Sequence, residues 1–370
     1  MASKVIEIDV RVLTSAVTPR HPGLFPLRIR TTITDLARAA GVSTATVDRV
    51  LNDRAGVHAR TRRRVLAVAQ EIGYLDPEPT ALTGALRQQI DLAFIVPGGT
   101  NTFLDALSRC LTEIGEQRAG ETRVVVHRME AFHPERLASG LRELAGTVDG
   151  VGLIALDHPA VRTAIREAVA IGTRILTLVS DISDVPRHGY VGIDNRAAGR
   201  LAGHLLGRFL RRARASVALF AGSLRYRGHE ERASGFRRIL AEEFPDLALL
   251  ETREMHDDVE ECYREASRLL AATVDLAGIY NVGGGNRGIV RALEDAGRVR
   301  DVVVIGHEVT EHTRRFLLSG AMDAVIDQNP RQEAEVAVDA LLQAIRAGGH
   351  PLRIPPIRAQ AIFRENLPEL

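Results

Sequence analysis

Residues 32–52 read TITDLARAAGVSTATVDRVLN, a pattern of two short helices with a tight turn between them. Thr34 and Asp35 open the first, whose apolar side is Leu36, Ala37 and Ala40. Gly41 follows, the residue type for which a left-handed backbone costs least. Ser43 is placed to cap a second helix over 44–51, which buries Val47, Val50 and Leu51. Further on, residues 59–72 carry Val65, Ala69 and Ile72 at helical spacing. Two short helices joined by a glycine turn, with a third packed across them, form a helix-turn-helix. Over 31–75 seven arginines (38, 49, 54, 60, 62, 63 and 64) outnumber four acids (35, 48, 53 and 71), a local charge of +3. That is the modestly basic surface of a domain that faces phosphates.

Outward from this block the chain is ordinary in bulk. Its 370 residues allow two or three domains, and 48 basic against 47 acidic residues leave a net charge of +1, so any nucleic-acid signal has to be local. Lys4 is the single lysine, which makes arginine the general surface cation here and its clusters less telling. Cys110 and Cys262 lie far apart within helical patterns and suggest neither a disulfide nor a metal site, in keeping with a reducing cytoplasm. Residues 1–30 hold no continuous apolar core of signal-peptide length, because Arg11, Thr14 and Ser15 interrupt it; they read as a disordered extension. No stretch approaches the ~18 apolar residues of a membrane span.

Residues 76–89, which include the prolines 77 and 79, read as a hinge or linker. From residue 90 to 370 short apolar runs alternate with amphipathic helices. The runs are 91–97, 122–128, 150–156, 173–180, 190–194, 215–221, 276–282, 301–308 and 323–328. Continuous apolar strands separated by helices predict parallel sheets covered on both faces, and nine of them suit two doubly wound subdomains better than one wide sheet. Ligands of such sheets sit beyond the carboxyl ends of the strands. Polar residues recur there: Asn101, Asp157, Ser180 and Asp181, Asp194, Asn281, Glu308 and Gln328. Each also suits a helix cap.

One loop raises a rival reading. Gly283, Gly285 and Gly288 in IYNVGGGNRGI fit G-x-G-x-x-G after a strand and before a helix, as in an NAD-dependent oxidoreductase. That fold wants the loop on the first strand of its domain. Here it follows the seventh of nine, in a chain headed by a helix-turn-helix, so the expectation is no enzyme.

The block TITDLARAAGVSTATVDRVLN, with the downstream TRRRV and IGY, resembles the headpiece of the lactose-repressor (LacI/GalR) family over more than forty residues without a gap. The resemblance implies a helix docked in the major groove, with Thr44, Ala45 and Arg49 at base edges and Ser43, Thr46, Asn52 and Arg63 at phosphates. Arginine suits guanine, and an alanine methyl suits thymine. Leu86 would be the hinge residue wedged into the minor groove. Asp48 departs from the family, which places serine there. A carboxylate repels phosphate, so Asp48 either accepts from a cytosine amino group or pairs with a nearby arginine.

The core from residue 90 resembles the sugar-binding domain of the same family, shared with type I periplasmic binding proteins. The carriers are TNTFLDAL, TLVSDISD, YVGIDNRAAGRLAG, RGHEERASGFRRIL and VIDQNPRQEA, and the subdomain crossovers fall near 195–214 and 328–350. Matched by motif, Asn101, Phe103, Asp181, Asp194, Arg232, Asn281, Glu308 and Gln328 would bind the ligand. Glu308 stands where aspartate is common, and His307 beside it is atypical. Both point to a larger or differently hydroxylated ligand, and the glycine loop leaves room for a phosphorylated sugar at its helix start. The resemblance implies a cytoplasmic repressor-type transcriptional regulator, with no cofactor and no metal. It would bind a pseudo-palindromic double-stranded DNA operator as a homodimer or tetramer and answer to a small carbohydrate. A sugar-binding protein without DNA regulation is the other alternative.

Overall fold

The computed structural model describes residues 31–52, 54, 56–57, 59–75, 89–210 and 214–368. The disordered extension assigned to 1–30 and the hinge with Leu86 lie outside these residues. Two compact units emerge, one around the three N-terminal helices and one comprising the α/β remainder.

In the first unit helix α1 spans Ile33–Ala40, starting one residue before Thr34 and capped by Thr32. The Thr32 hydroxyl accepts from the Asp35 N–H, while the Asp35 carboxylate accepts from the Thr32 N–H at 3.1 Å, a reciprocal cap that satisfies two otherwise orphan donors. Gly41 takes φ 62° and turns the chain into α2, Thr44–Leu51, whose cap Ser43 accepts from the Thr46 N–H. Helix α3, Ala59–Glu71, closes the bundle. Leu36, Ala37, Ala40, Val47, Val50, Val65 and Ala69 are buried together. Each larger aliphatic among them contributes roughly 1.5–3 kcal/mol.

The second unit begins with β1 (Ile90–Pro97), α4 (Thr102–Gln117), β2 (Thr122–Met129), α5 (Pro134–Leu144), β3 (Gly150–Leu153), α6 (Pro159–Ala170), β4 (Arg174–Leu178) and β5 (Gly189–Val191). These strands form an all-parallel sheet in the order β2-β1-β3-β4-β5. The chain then builds a second sheet. Its elements are α7 (Asn195–Phe209), β6 (Ala215–Ala221), α8 (Arg227–Glu243), β7 (Leu247–Leu249), β8 (Arg253–Glu254), α9 (Val259–Ala272), β9 (Leu276–Asn281), α10 (Asn286–Asp295), β10 (Val303–His307), α11 (Glu311–Ser319) and β11 (Ala324–Asp327). Helix α12 (Pro330–Arg346) returns to pack on α4, β3, β4 and β5 of the first sheet. The chain crosses once more, with Ile357 bridging Ile193, and β12 (Gln360–Ile362) joins β11 antiparallel. The second sheet runs β12-β11-β10-β9-β6-β7, with β8 on β6. The unit is thus two lobes joined by three crossing segments. Among the described residues the nine expected strands become twelve, the additions β7, β8 and β12 being short pieces at sheet edges or ends.

Where α7 meets α8 the helices touch backbone to backbone. A Cβ on Gly199 would lie 1.9 Å from the Arg232 carbonyl oxygen, and one on Gly235 would lie 2.2 Å from the Arg196 carbonyl oxygen. Neither obstacle is a movable side chain, so the helices themselves must part. Gly199→Ala is expected to destabilise the protein by about 2–3 kcal/mol through overpacking, read as a lower urea midpoint at unchanged slope. An unchanged midpoint would mean that the helices can separate freely.

Candidate functional site

On the headpiece, α2 turns Val47 and Val50 inward and leaves Thr44, Ala45 and Arg49 exposed together. The Arg49 side chain makes no hydrogen bond or ion pair among the described residues. Asp48 is answered from within the chain. Its carboxylate accepts from Asn52 Nδ2 at 2.8 Å and from an Arg54 guanidinium nitrogen at 3.0 Å. Asn52, expected at phosphate, therefore gives its amide to Asp48 in this state, donating to the Asp48 carbonyl as well. Ser43 and Thr46 share a hydroxyl contact at 2.9 Å. Arg63 lies on α3, with its side chain outside the described set.

In the α/β unit the carboxyl ends of the strands open into a cleft between the lobes, enclosing about 920 Å³, part of it open to solvent. Phe103, Phe132 and Tyr226 supply apolar faces, and Asn101, Ser180, Arg232, Glu308 and Gln328 supply polar groups. Three of the strand ends leave through left-handed backbone at residues other than glycine: Val179 at φ 63°, Glu308 at φ 70° and Asn329 at φ 59°. For a β-branched valine this costs on the order of 1–3 kcal/mol. The surroundings hold it: the Val179 N–H donates to the Val191 carbonyl at 2.9 Å, and its own carbonyl accepts from Tyr190 Oη at 3.1 Å. The kink presents Ser180, whose Oγ accepts from the Gly228 N–H of the other lobe at 3.2 Å.

That bond is one of several across the cleft. Asn101 Nδ2 donates to Asp257 Oδ2 at 2.9 Å, and the Asp157 N–H donates to the Arg225 carbonyl at 3.0 Å. Phe132 sets its ring edge-on to Tyr226 and His256, with centroids 5.6 and 5.3 Å apart. The lobes are closed on one another.

Burial governs the electrostatics. Glu308 is held by Gln328, whose side-chain amide and N–H both donate to its carboxyl. Burial and then the nearby Asp327 push its pKa up to about 8. His307 hydrogen-bonds Tyr280 Oη at 2.8 Å, and burial lowers its pKa well below the usual value, so the imidazole is neutral. His229 is likewise driven down to about 4 by burial. His307 Nδ1 and Gln328 Oε1 are buried without a hydrogen-bond partner, and both residues line the cleft.

Five of the expected ligand residues converge here: Asn101, Phe103, Arg232, Glu308 and Gln328. Three do not, and each has a local reason. Asp181 is taken by Thr177 Oγ1 at 2.6 Å and by Arg187. Asp194 is exposed and caps α7, accepting from the Ala197 N–H at 2.9 Å. Asn281 is buried beneath the glycine loop, donating to the Gly284 carbonyl at 2.7 Å and to Asn286 Oδ1 at 2.8 Å. Ser180, the neighbour of Asp181, faces the cleft instead. Asp257 went unnoticed because its only local sign is a two-aspartate run, of which Asp258 caps α9.

The glycine loop has its own explanation. Gly285 is left-handed at φ 86° ahead of α10. Side chains on Gly283 and Gly288 would strike Asp257 Oδ1 at 2.4 Å and the Val259 carbonyl oxygen at 2.1 Å. The glycines admit the Asp257 latch and the close approach of α9 to α10.

The two units combine a helix-turn-helix of exposed α2 with a two-lobed α/β cleft of the periplasmic-binding type. Residues 32–76 match the lacI family of bacterial regulatory proteins, and residues 92–349 match the periplasmic binding protein domain. The chain belongs to the lactose-repressor (LacI/GalR) family, with a periplasmic-binding-protein core. It is 26% identical over 217 residues to the HTH-type transcriptional regulator DegA of Bacillus subtilis, covering 58% of this chain and 62% of DegA, so less than two thirds of that relative's length is spanned. It is 24% identical over 351 residues to the transcriptional repressor PurR of Vibrio cholerae, covering 92% of this chain and 98% of PurR. A glucose-galactose binding protein from Geobacillus stearothermophilus, GanP, shares the core fold with a TM-score of 0.69 at 20% identity, over 76% of this chain and 100% of GanP.

Proposed function

We propose that this protein is a transcriptional repressor that binds a pseudo-palindromic operator as a homodimer and is controlled by a small carbohydrate in the cleft. The observation that carries the reading is the pairing, in one chain, of an unencumbered Thr44-Ala45-Arg49 face on α2 with a cleft of aromatic faces and unfilled polar groups. Arg49 suits guanine and the Ala45 methyl suits thymine. Neutralised by Arg54, Asp48 no longer opposes the phosphates. In the cleft, rings such as Phe103 and Phe132 take the C–H face of a sugar while amides and carboxyls take its hydroxyls. GanP is a glucose-galactose binding protein. Ligand shifts the balance between open and closed lobes, and operator affinity follows with a reciprocal coupling of roughly 1–3 kcal/mol. The reading assigns the protein to the cytoplasm and gives it no cofactor and no reaction. Among the described residues no helix is long and apolar enough to cross a membrane.

The test is retention of genomic fragments by the purified protein, with and without a pool of pentoses, hexoses, polyols and their acid derivatives. A two-fold symmetric sequence should be enriched and its recovery should change with the pool. Enrichment that ignores every sugar would remove the carbohydrate from the reading. No enrichment at all would remove the operator.

A further inference from the structure

Two arginines line the cleft with no carboxylate bonded or ion-paired to either among the described residues. Arg232 is 3% exposed and gives its hydrogen bonds to neutral acceptors, Asn195 Oδ1 at 2.7 Å and the Val282 carbonyl at 2.9 Å. Arg287, half-buried on the first turn of α10, makes no hydrogen bond or ion pair among the described residues. The lining holds a single acid, Glu308, whose carboxyl is engaged by Gln328 and keeps its proton at neutral pH. Asp257, behind the glycine loop, gives its two oxygens to the Gly284 N–H and to Asn101. His229 and His307 are neutral. Glu333, fully buried and within electrostatic reach of Arg232, is pushed well above the usual carboxylate range by burial and is protonated as well, so the formal charge facing the ligand space is positive.

A buried guanidinium without a counter-charge is costly, and the cost is relieved when an anion enters. The same space holds further unfilled partners. Helix α10, ten residues long, begins in the cleft with no side-chain cap, so its first N–H groups and dipole favour negative charge. The unpartnered Gln328 Oε1 and His307 Nδ1 are suited to hydroxyl groups. Charge demand and hydroxyl demand coincide in one cavity.

We propose that the effector is an anionic carbohydrate, a polyhydroxy ring or chain carrying a carboxylate or a phosphate, whose negative group answers Arg232 with Arg287 adding attraction from the first turn of α10. This rests on the reading of the cleft as a carbohydrate site and narrows its ligand class.

The test is calorimetric titration of the full-length protein with matched sets: neutral pentoses and hexoses, their aldonic and uronic acids, and their phosphate esters. At least one acid or ester is expected to bind about tenfold or more tightly than its neutral parent, as charge-assisted hydrogen bonds require. The preference should shrink between about 50 and about 300 mM salt. A response confined to the acids identifies a carboxylate ligand, and one confined to the esters a phosphate. Arg287→Gln, at a half-buried position where a melting curve can verify the fold, should cut the preference for the anion about threefold or more. If neutral parents bind as well as their acids and esters, the charge assignment is overturned while the carbohydrate reading stands. If no compound of any set binds at millimolar concentration, both fall.

Discussion

Arg49→Ala is expected to weaken operator binding by about 2–6 kcal/mol. A bidentate arginine–guanine contact is worth roughly 1–3 kcal/mol of discrimination, and a homodimer makes it twice. The affinity loss is then about thirtyfold at the least and exceeds ten-thousandfold at the upper end. Because the Arg49 side chain is exposed and makes no hydrogen bond or ion pair among the described residues, the variant should melt with the parent to within about 0.5 kcal/mol. Fluorescence anisotropy on a labelled operator at fixed salt, beside a thermal melt, separates the two quantities. Unchanged affinity in a folded variant would mean that α2 is not the reading helix. Loss of specificity should accompany loss of affinity, since a mere phosphate contact would weaken all sequences alike.

Glu308→Gln is expected to stabilise the ligand-free protein, by an amount that depends on pH. In the unfolded chain the carboxyl titrates near the ordinary 4.5, whereas in the fold burial holds its proton up to about 8. Below about pH 4 both states are protonated and ionisation costs nothing. Between 4.5 and 8 folding must take up a proton, so stability falls as pH rises. At pH 7 the penalty is about 3 kcal/mol, from ~1.4 kcal/mol per tenfold excess of hydroxide over the unfolded midpoint. Glutamine keeps the shape and has nothing to ionise; its one oxygen accepts from the Gln328 side-chain amide, and the longer bond from the Gln328 N–H is given up at every pH. Urea unfolding should show the variant gaining about 3 kcal/mol on the parent between pH 4 and pH 7. A gap independent of pH would show that Glu308 is ionised in the folded protein. The gain should come at the expense of ligand discrimination, as stabilising changes in binding sites commonly do.

The headpiece was legible because its determinants are local. Gly41, Ser43 and the apolar spacing of Leu36, Val47 and Val50 act within a few residues, and the start of α1 differs by one residue, at Ile33 instead of Thr34. The long central strands were legible as continuous apolar runs. By contrast β7, β8 and β12 have two or three residues each, and their strand character is imposed by the neighbour to which they pair. The cleft divides in the same way. Arg232, Glu308 and Gln328 could be placed by motif and face the cavity. Asp181, Asp194 and Asn281 occupy similar strand ends, yet their side chains turn to Arg187, a helix start and the glycine loop. A strand-end carboxylate or amide reads identically whether it caps, braces or faces a ligand, because the direction is set by partners remote in sequence. The Asp257 latch shows this most clearly, since it meets Asn101 across 156 residues of chain.

The return of α12 to the first sheet has a consequence for the nascent protein on the ribosome. The strands of the first lobe are all synthesised by Val191, but the helix that covers β3, β4 and β5 begins only at Pro330. About 140 residues separate the two, a delay of roughly 7–30 s at about 5–20 residues per second. Throughout that interval the face of the sheet that α12 will cover, which carries Leu92, Leu176 and Leu178, all buried in the finished fold, lacks that helix. The lobe made first is therefore completed only shortly before the lobe made last, whose β12 follows at Gln360–Ile362. The lobe that emerges first from the exit tunnel must be sheltered, by chaperones or by its own fluctuating helices, until α12 has been made.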